Sequence, residues 1–125
     1  MRPSKQLLGA KGEQQAVEYL VKNKYKIIFR NYRSGRSEID IICSLKETLV
    51  FCEVKSYQSK PLDAVEYRIN QKKQEQVIQG AYGFVEEYSE YEGYDIRFDV
   101  IIVDFSTYPS EITHHKAAFW LEEPF

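Results

Sequence analysis

Ser37-Glu-Ile-Asp-Ile-Ile-Cys43 and Leu49-Val-Phe-Cys-Glu-Val-Lys55 decide how this chain folds. Both runs are short, rich in β-branched and aromatic residues, and alternate in polarity, the pattern of strands with one buried face. Ser44-Leu-Lys-Glu-Thr48 between them reads as a turn, so the pair is expected as an antiparallel hairpin. With that turn centred on Lys46-Glu47, opposed residues have numbers summing to 93, which sets Asp40 against Glu53 and Glu38 against Lys55. Lys46-Glu47 is poor chemistry for a tight turn, and a slip of one residue in register stays open.

Strand periodicity then places Glu38, Asp40, Phe51, Glu53 and Lys55 on one face and Ile39, Ile41, Cys43, Val50, Cys52 and Val54 on the other. Opposed side chains in a sheet lie about 4.5–5.5 Å apart at Cβ. Two carboxylates at that spacing repel, and they need a proton, a cation or full hydration between them. A bound divalent cation is the economical answer. A ladder of cross-strand salt bridges, with Lys55 pairing Glu38, is the other reading that spacing alone allows.

Working outward, Leu7 to Asn23 has helical periodicity, with Ala16, Val17, Leu20 and Val21 in one stripe and Glu13 on the same stripe. A carboxylate there either serves a site or favours the positive end of the helix dipole. Tyr25 to Tyr32 reads as a strand, and Arg33-Ser-Gly-Arg36 turns it into the hairpin. Residues 56–66 form a polar connection containing Pro61, followed by a helix from about Ile69 to Tyr88. Its apolar stripe uses Ile69, Val77, Ala81, Phe84, Val85 and Tyr88, and Lys73 falls within it. That lysine either snorkels along the core edge or reaches the carboxylates from above the sheet.

The tyrosine-rich acidic stretch Glu86 to Asp95 is expected as a surface loop. Arg97 to Phe105 is expected as a strand, and its centre, Val100-Ile-Ile-Val103, is apolar on both faces. Such a strand belongs inside a sheet, parallel to a neighbour when a helix supplies the crossover. Glu111 to Trp120 closes the domain as a short element of unassigned type. The expected architecture is a single α/β domain over residues 1–125, of order α-β-β-β-α-β, with helices on a mixed sheet.

At 125 residues, with 43% apolar and 14% aromatic content, the chain suits one globular core. No apolar run approaches the roughly 18 residues of a membrane span, and no secretory signal is visible, so the expected location is the cytoplasm. Cys43 and Cys52 lack metal-ligand spacing and are expected as reduced core residues. The pair His114-His115 has no third ligand nearby in sequence, and no phosphate-cradling glycine loop follows a strand. The net charge of −2 is unevenly spread: residues 1–36 carry nine Lys/Arg against two Glu, the remainder eight against seventeen acids. The basic segment either receives a phosphate backbone or is simply a solvated face.

Asp40 and Glu53 suffice for a hard cation such as Mg²⁺ or Mn²⁺, which takes oxygen ligands and keeps waters or substrate phosphates. Lys55, two residues from Glu53, would position a water and offset negative charge at the reacting phosphorus. Glycosidase chemistry ranks lower, because a nearby lysine works against the protonated acid that it needs.

With a helix bearing Glu13 ahead of them, Asp40, Glu53 and Lys55 resemble the PD-(D/E)xK nuclease superfamily. Gly9-Ala-Lys-Gly12-Glu13, Asn31-Tyr-Arg33, Glu38-Ile-Asp40, Phe51-Cys-Glu-Val-Lys55, Lys73, Arg97-Phe-Asp99 and Ala118-Phe119 resemble, in order, the YraN-like family. The resemblance implies a restriction-endonuclease-like fold and a nuclease-type site of Glu13, Asp40, Glu53, Lys55 and Lys73. It implies metal ligation by Asp40, Glu53 and the Val54 backbone carbonyl, with Glu13 as a further candidate. Arg97 and Asp99 fall on the family's late strand motif, and a pair bracing the sheet is the plain reading for them. Ser37 stands where the family usually has glycine, and Ser56-Tyr57 where it has a small residue and an arginine, which removes a candidate phosphate contact.

The expectation is therefore divalent-metal-dependent phosphodiester hydrolysis on DNA, endonuclease-like, with branched or damaged DNA as the substrate class. The alternative is a catalytically idle nucleic-acid-binding or assembly module. No membrane partner is expected, and a homodimer is open by analogy alone.

Overall fold

The computed structural model describes residues 4–59 and 69–120. Pro61 and most of the connection that contains it lie outside the described residues, as does Arg2 of the basic segment. Helix α1 (Lys5–Lys22) starts at Ser4, whose side chain accepts a hydrogen bond from the Leu7 amide. It leads into β1 (Lys26–Ser34), β2 (Ser37–Leu45) and β3 (Thr48–Tyr57). Helix α2 (Gln71–Glu87) is capped by Asn70, and a short 3₁₀ turn (Ser89–Tyr91) precedes β4 (Asp95–Asp104) and β5 (Glu111–Phe119).

The five strands form one sheet in the order β1-β2-β3-β4-β5. β3 and β4 run parallel along ten matched positions, from Thr48↔Asp95 to Tyr57↔Asp104, and the other neighbours are antiparallel. This is a mixed α/β sheet with a restriction-endonuclease-like core. The parallel pair is the one expected from the doubly apolar β4 segment, with α2 in the crossover between β3 and β4. Val100 and Ile102 pack on the α2 side while Ile101 and Val103 pack on the α1 side. The closing element is a strand, β5, added antiparallel to β4.

Two apolar layers follow. Under α2, Phe51, Phe84, Phe98 and Phe119 form a run of ring contacts, with centroids 5.0–6.0 Å apart. Such pairs are worth about 0.5–1.5 kcal/mol each beyond their buried area. Under α1, Ala16 and Leu20 meet Ile41, Val50, Cys52 and Ile101. Cys43 and Cys52 are buried free thiols in this layer, 3.9 Å apart at sulfur. Val21, expected in the α1 stripe, is 55% exposed, because the buried stripe is narrow and centres on Gly12, Ala16 and Leu20.

The hairpin register is the one expected, from Leu45↔Thr48 to Ile41↔Cys52, with Lys46 in the left-handed region at the turn (φ 55°). One face assignment is corrected. Ile39 packs toward α2, against Gly80, while Ile41 packs toward α1, so strict alternation fails between them. On the neighbouring strand Asn31 sits between the pairs Arg30↔Ile41 and Tyr32↔Ile39 and adopts a left-handed backbone (φ 52°). The irregularity lies alongside Asp40, and a polar residue of tolerant backbone carries it. Glu38 is likewise opposite Arg33, with its carboxylate 3.7 Å from the guanidinium.

Candidate active site

The β2–β3 ladder stops one pair short of Asp40 and Glu53, and the two carboxylates take over its work. The Asp40 amide donates to Glu53 Oε2 at 3.2 Å, and the Val54 amide donates to Asp40 Oδ2 at 2.8 Å. Each acid is thus fixed by the backbone of the opposite strand. Glu53 is 4% exposed on a strand whose neighbours Phe51 and Cys52 are fully buried.

Lys73 approaches from α2. The Asn70 side chain that caps the helix accepts from the Lys73 amide at 2.8 Å, so the cap also sets the lysine's place in the first turn. Its Nζ lies 3.0 Å from Glu53 Oε1. Oε1 is buried, and Lys73 is the polar group beside it. Burial pushes the Glu53 carboxyl up to about 8, the Asp40 carboxylate adds to the shift, and Lys73 only partly offsets it. Burial alone would lower the Lys73 ammonium, but Glu53, Asp40 and Glu38 outweigh it and hold the pKa above its ordinary value. Near neutral pH the carboxylate repulsion is therefore met by a proton on Glu53 and a lysine beside it.

Glu13 comes from α1 on the other side. Its carboxylate accepts from Asn31 Nδ2 at 3.0 Å and from Arg30 Nε at 3.4 Å. Burial raises its pKa and the Asp40 charge raises it further, against the pull of Arg30. Gly12 explains how the helix comes so near. A Cβ at that position would fall 1.7 Å from Ser56 Oγ, so only glycine lets α1 lie on β3 there. Lys55 is exposed, two residues beyond Glu53 on the same strand.

The structure thus gathers Asp40, Glu53, Lys73 and Glu13 from four elements, with Lys55 at the rim. The residues that sequence reasoning left without a role are Arg30 and Asn31, which orient Glu13. Only Asn31 had a sequence signal, as part of the Asn31-Tyr-Arg33 motif. Among the described residues no three His, Cys, Asp or Glu side chains are grouped as a metal cage. What fits a hard cation is narrower: two adjoining carboxylates, of which Glu53 is buried with Lys73 beside its Oε1.

Arg97 and Asp99 do not join this site. Arg97 grips Asp99 with two hydrogen bonds, of 2.9 and 2.8 Å, and reaches the Tyr25 hydroxyl at 2.7 Å. His114 Nε2 lies 2.6 Å from Asp99, and its Nδ1 lies 3.0 Å from the Tyr19 hydroxyl. The Ala117 amide completes the set at 3.0 Å. Burial would raise the Asp99 carboxyl, but the bonds from His114, Arg97 and Ala117 prevail and hold it below its ordinary value. The network ties α1, β4 and β5 together, which is the bracing role. His114, dismissed as a metal ligand on its spacing, belongs to this brace.

Fold and site together define a class: an α/β protein with a restriction-endonuclease-like core that holds a carboxylate pair and a lysine where β2 and β3 part. Residues 12–103 match the model of the uncharacterised protein family UPF0102, and the chain belongs to that family. A UPF0102 protein of Treponema denticola is 39% identical over 122 residues, covering 90% of this chain and 94% of its own length. One from Natranaerobius thermophilus is 40% identical over 113 residues, covering 89% and 95%. A Geobacter metallireducens relative is 37% identical, covering 91% and 93%. No helix among the described residues is long and apolar enough to cross a membrane.

Proposed function

We propose that this protein belongs with the PD-(D/E)xK nucleases and hydrolyses phosphodiester bonds in DNA with the help of Mg²⁺ or Mn²⁺. The observation that carries the reading is the carboxylate pair itself: Glu53 is buried next to Asp40, and Lys73 is the cation that meets its Oε1. Burying the Glu53 carboxyl beside a second acid costs folding free energy beyond what its one backbone bond to β2 returns, as expected of a site kept for chemistry. Asp40 and Glu53 would hold the cation, with the Val54 carbonyl as a further oxygen and Glu13 beyond it. The cation would polarise the phosphodiester and lower the pKa of a bound water.

The protein's own groups do the rest. Glu53 would have to give up its proton to hold a cation, so metal binding and proton release would be linked. Lys73, held on Glu53, keeps that carboxylate oriented. Lys55, exposed on the same strand, would meet the phosphate or the attacking water and offset the charge of the transition state. Arg30 and Asn31 fix Glu13, which orients a water at the edge of the site. Branched or damaged DNA is the substrate class, met in the cytoplasm.

A second reading has its own support. Lys73 and a proton on Glu53 already neutralise the site without metal, as an idle nucleic-acid-binding or assembly module would allow. Calorimetric titration with Mn²⁺ separates the two. Heat that saturates in the millimolar range or below, and disappears in Asp40→Ala, supports hydrolysis; no binding in that range supports the module.

A further inference from the structure

Two grooves formed by described residues contrast in charge. The first, of about 790 Å³, lies beside the C-terminal end of α2 and the start of β4, with Glu86, Glu92 and Asp95 among its walls. It is acidic, and it lies toward the hairpin-turn end of the sheet, away from the carboxylates. The second, of about 810 Å³, has Lys11, Gln14 and Gln15 of α1 as one wall, Gln58 and Phe105 beyond the ends of β3 and β4, and the loop carrying Tyr108 opposite.

We infer that this second groove binds a single-stranded segment of nucleic acid, with Tyr108 as the platform on which an unpaired base stacks. The inference rests on the proposed phosphodiester site and names the form of substrate that reaches it. Continuity is the first ground. Gln14, in the groove wall, accepts a hydrogen bond of 3.0 Å from Arg30, whose guanidinium also contacts Glu13. Gly12 seats the same helix on Ser56, two residues before Gln58, so α1 is a wall of the groove and a side of the site.

Charge is the second ground. Lys11 is the only charged side chain among the described residues lining this groove, which suits a polyanion as the acidic groove does not. The third is Tyr108 itself, which is fully exposed at 101%. An aromatic ring of that size in open water forgoes a large burial gain, and a nucleobase restores it by stacking. Bases inside a duplex are already stacked on one another, so the platform selects unpaired ones. The loop is tied in place, since the Ser110 hydroxyl donates to the Gln15 side chain across the groove. The Gln15 Nε2 and the Gln58 amide add uncharged hydrogen-bonding groups to the groove wall, while the Gln14 and Gln15 oxygens are held by Arg30 and Ser110.

The test is fluorescence anisotropy with a labelled 20-mer of deoxythymidine and a labelled duplex of equal length, with Ca²⁺ in place of Mg²⁺ so that no cleavage is needed. Tyr108→Ala should weaken single-strand binding roughly 5- to 150-fold, the loss of one stacked base, and leave duplex binding within about twofold. Tyr108→Phe should bind as the parent does. Ultraviolet crosslinking of a 5-iodouracil strand should place the adduct at Tyr108. Unchanged single-strand affinity in Tyr108→Ala, an equal loss for both probes, or no binding of the strand by the parent protein would each overturn the inference; the first is also the outcome expected of a peptide groove. Failure of hydrolysis would show instead as intact DNA with Mn²⁺ while these binding differences persist.

Discussion

Glu53 is the residue on which the account turns, because its environment opposes the charge it would need to hold a metal. Its folded pKa of about 8 lies above the ordinary 4.5, so a proton is bound more tightly folded than unfolded. The sign follows: the metal-free fold loses stability as pH rises from about 4.5 to about 8, and the loss is complete above that. Glu53→Gln should therefore melt higher than the parent in chelator at pH 8, by about 0.5–2 kcal/mol, while losing metal-dependent activity. Equal or lower melting would count against a strained carboxylate. Asp99 has the opposite sign. Its pKa is depressed below 3.8, so its ion contributes stability above that value, and the contribution is lost as pH falls through the folded pKa. Asp99→Asn should cost about 3 kcal/mol in denaturant titration by stranding Arg97, and an unchanged midpoint would refute the bracing role. The pairing of Asp40 with Glu53 was legible because a strand hairpin allows few registers. The brace was not: Tyr19, Tyr25 and His114 lie apart from Asp99 in sequence, and only the packing of α1 on the sheet together with the β4–β5 pairing joins them.

At the scale of elements, the placement of α1 on β3 is what delivers Glu13. Gly12 permits a contact that a Cβ would close, since the added atom would meet Ser56 Oγ at 1.7 Å and Ser56 Cβ at 2.9 Å. Gly12→Ala should destabilise the protein by about 1–3 kcal/mol and lower hydrolysis more than Gly9→Ala, whose Cβ would meet nothing within 4 Å. Equal melting of the two variants would contradict the close seat. Gly80 plays the matching part under α2, where its missing Cβ leaves room for Ile39 and Ser37. Both helices and β1 to β4 were readable from period, β-branched and aromatic content and turn residues. The face of Ile39 was not, because the left-handed Asn31 interrupts β1 beside Asp40, and alternation cannot foresee a local change of backbone. The type of Glu111–Phe119 was likewise open, since its edge position leaves most of its side chains partly or fully exposed and weakens the apolar pattern.

For the whole molecule, the charge division along the chain is partly absorbed within the fold. Arg30 is engaged with Glu13 and Arg33 with Glu38, so the basic segment is less free than its sequence suggests. Binding of DNA should still weaken with salt, and the slope of log affinity against log salt counts the phosphates that remain in contact. The decisive measurement is cleavage of supercoiled plasmid and a four-way junction by purified protein with Mn²⁺, alongside Asp40→Ala and a chelator control. Nicking or junction cutting that requires Mn²⁺ and is lost in Asp40→Ala is the result the account predicts. DNA left intact by the parent protein, or cutting that survives both Asp40→Ala and chelator, would contradict it.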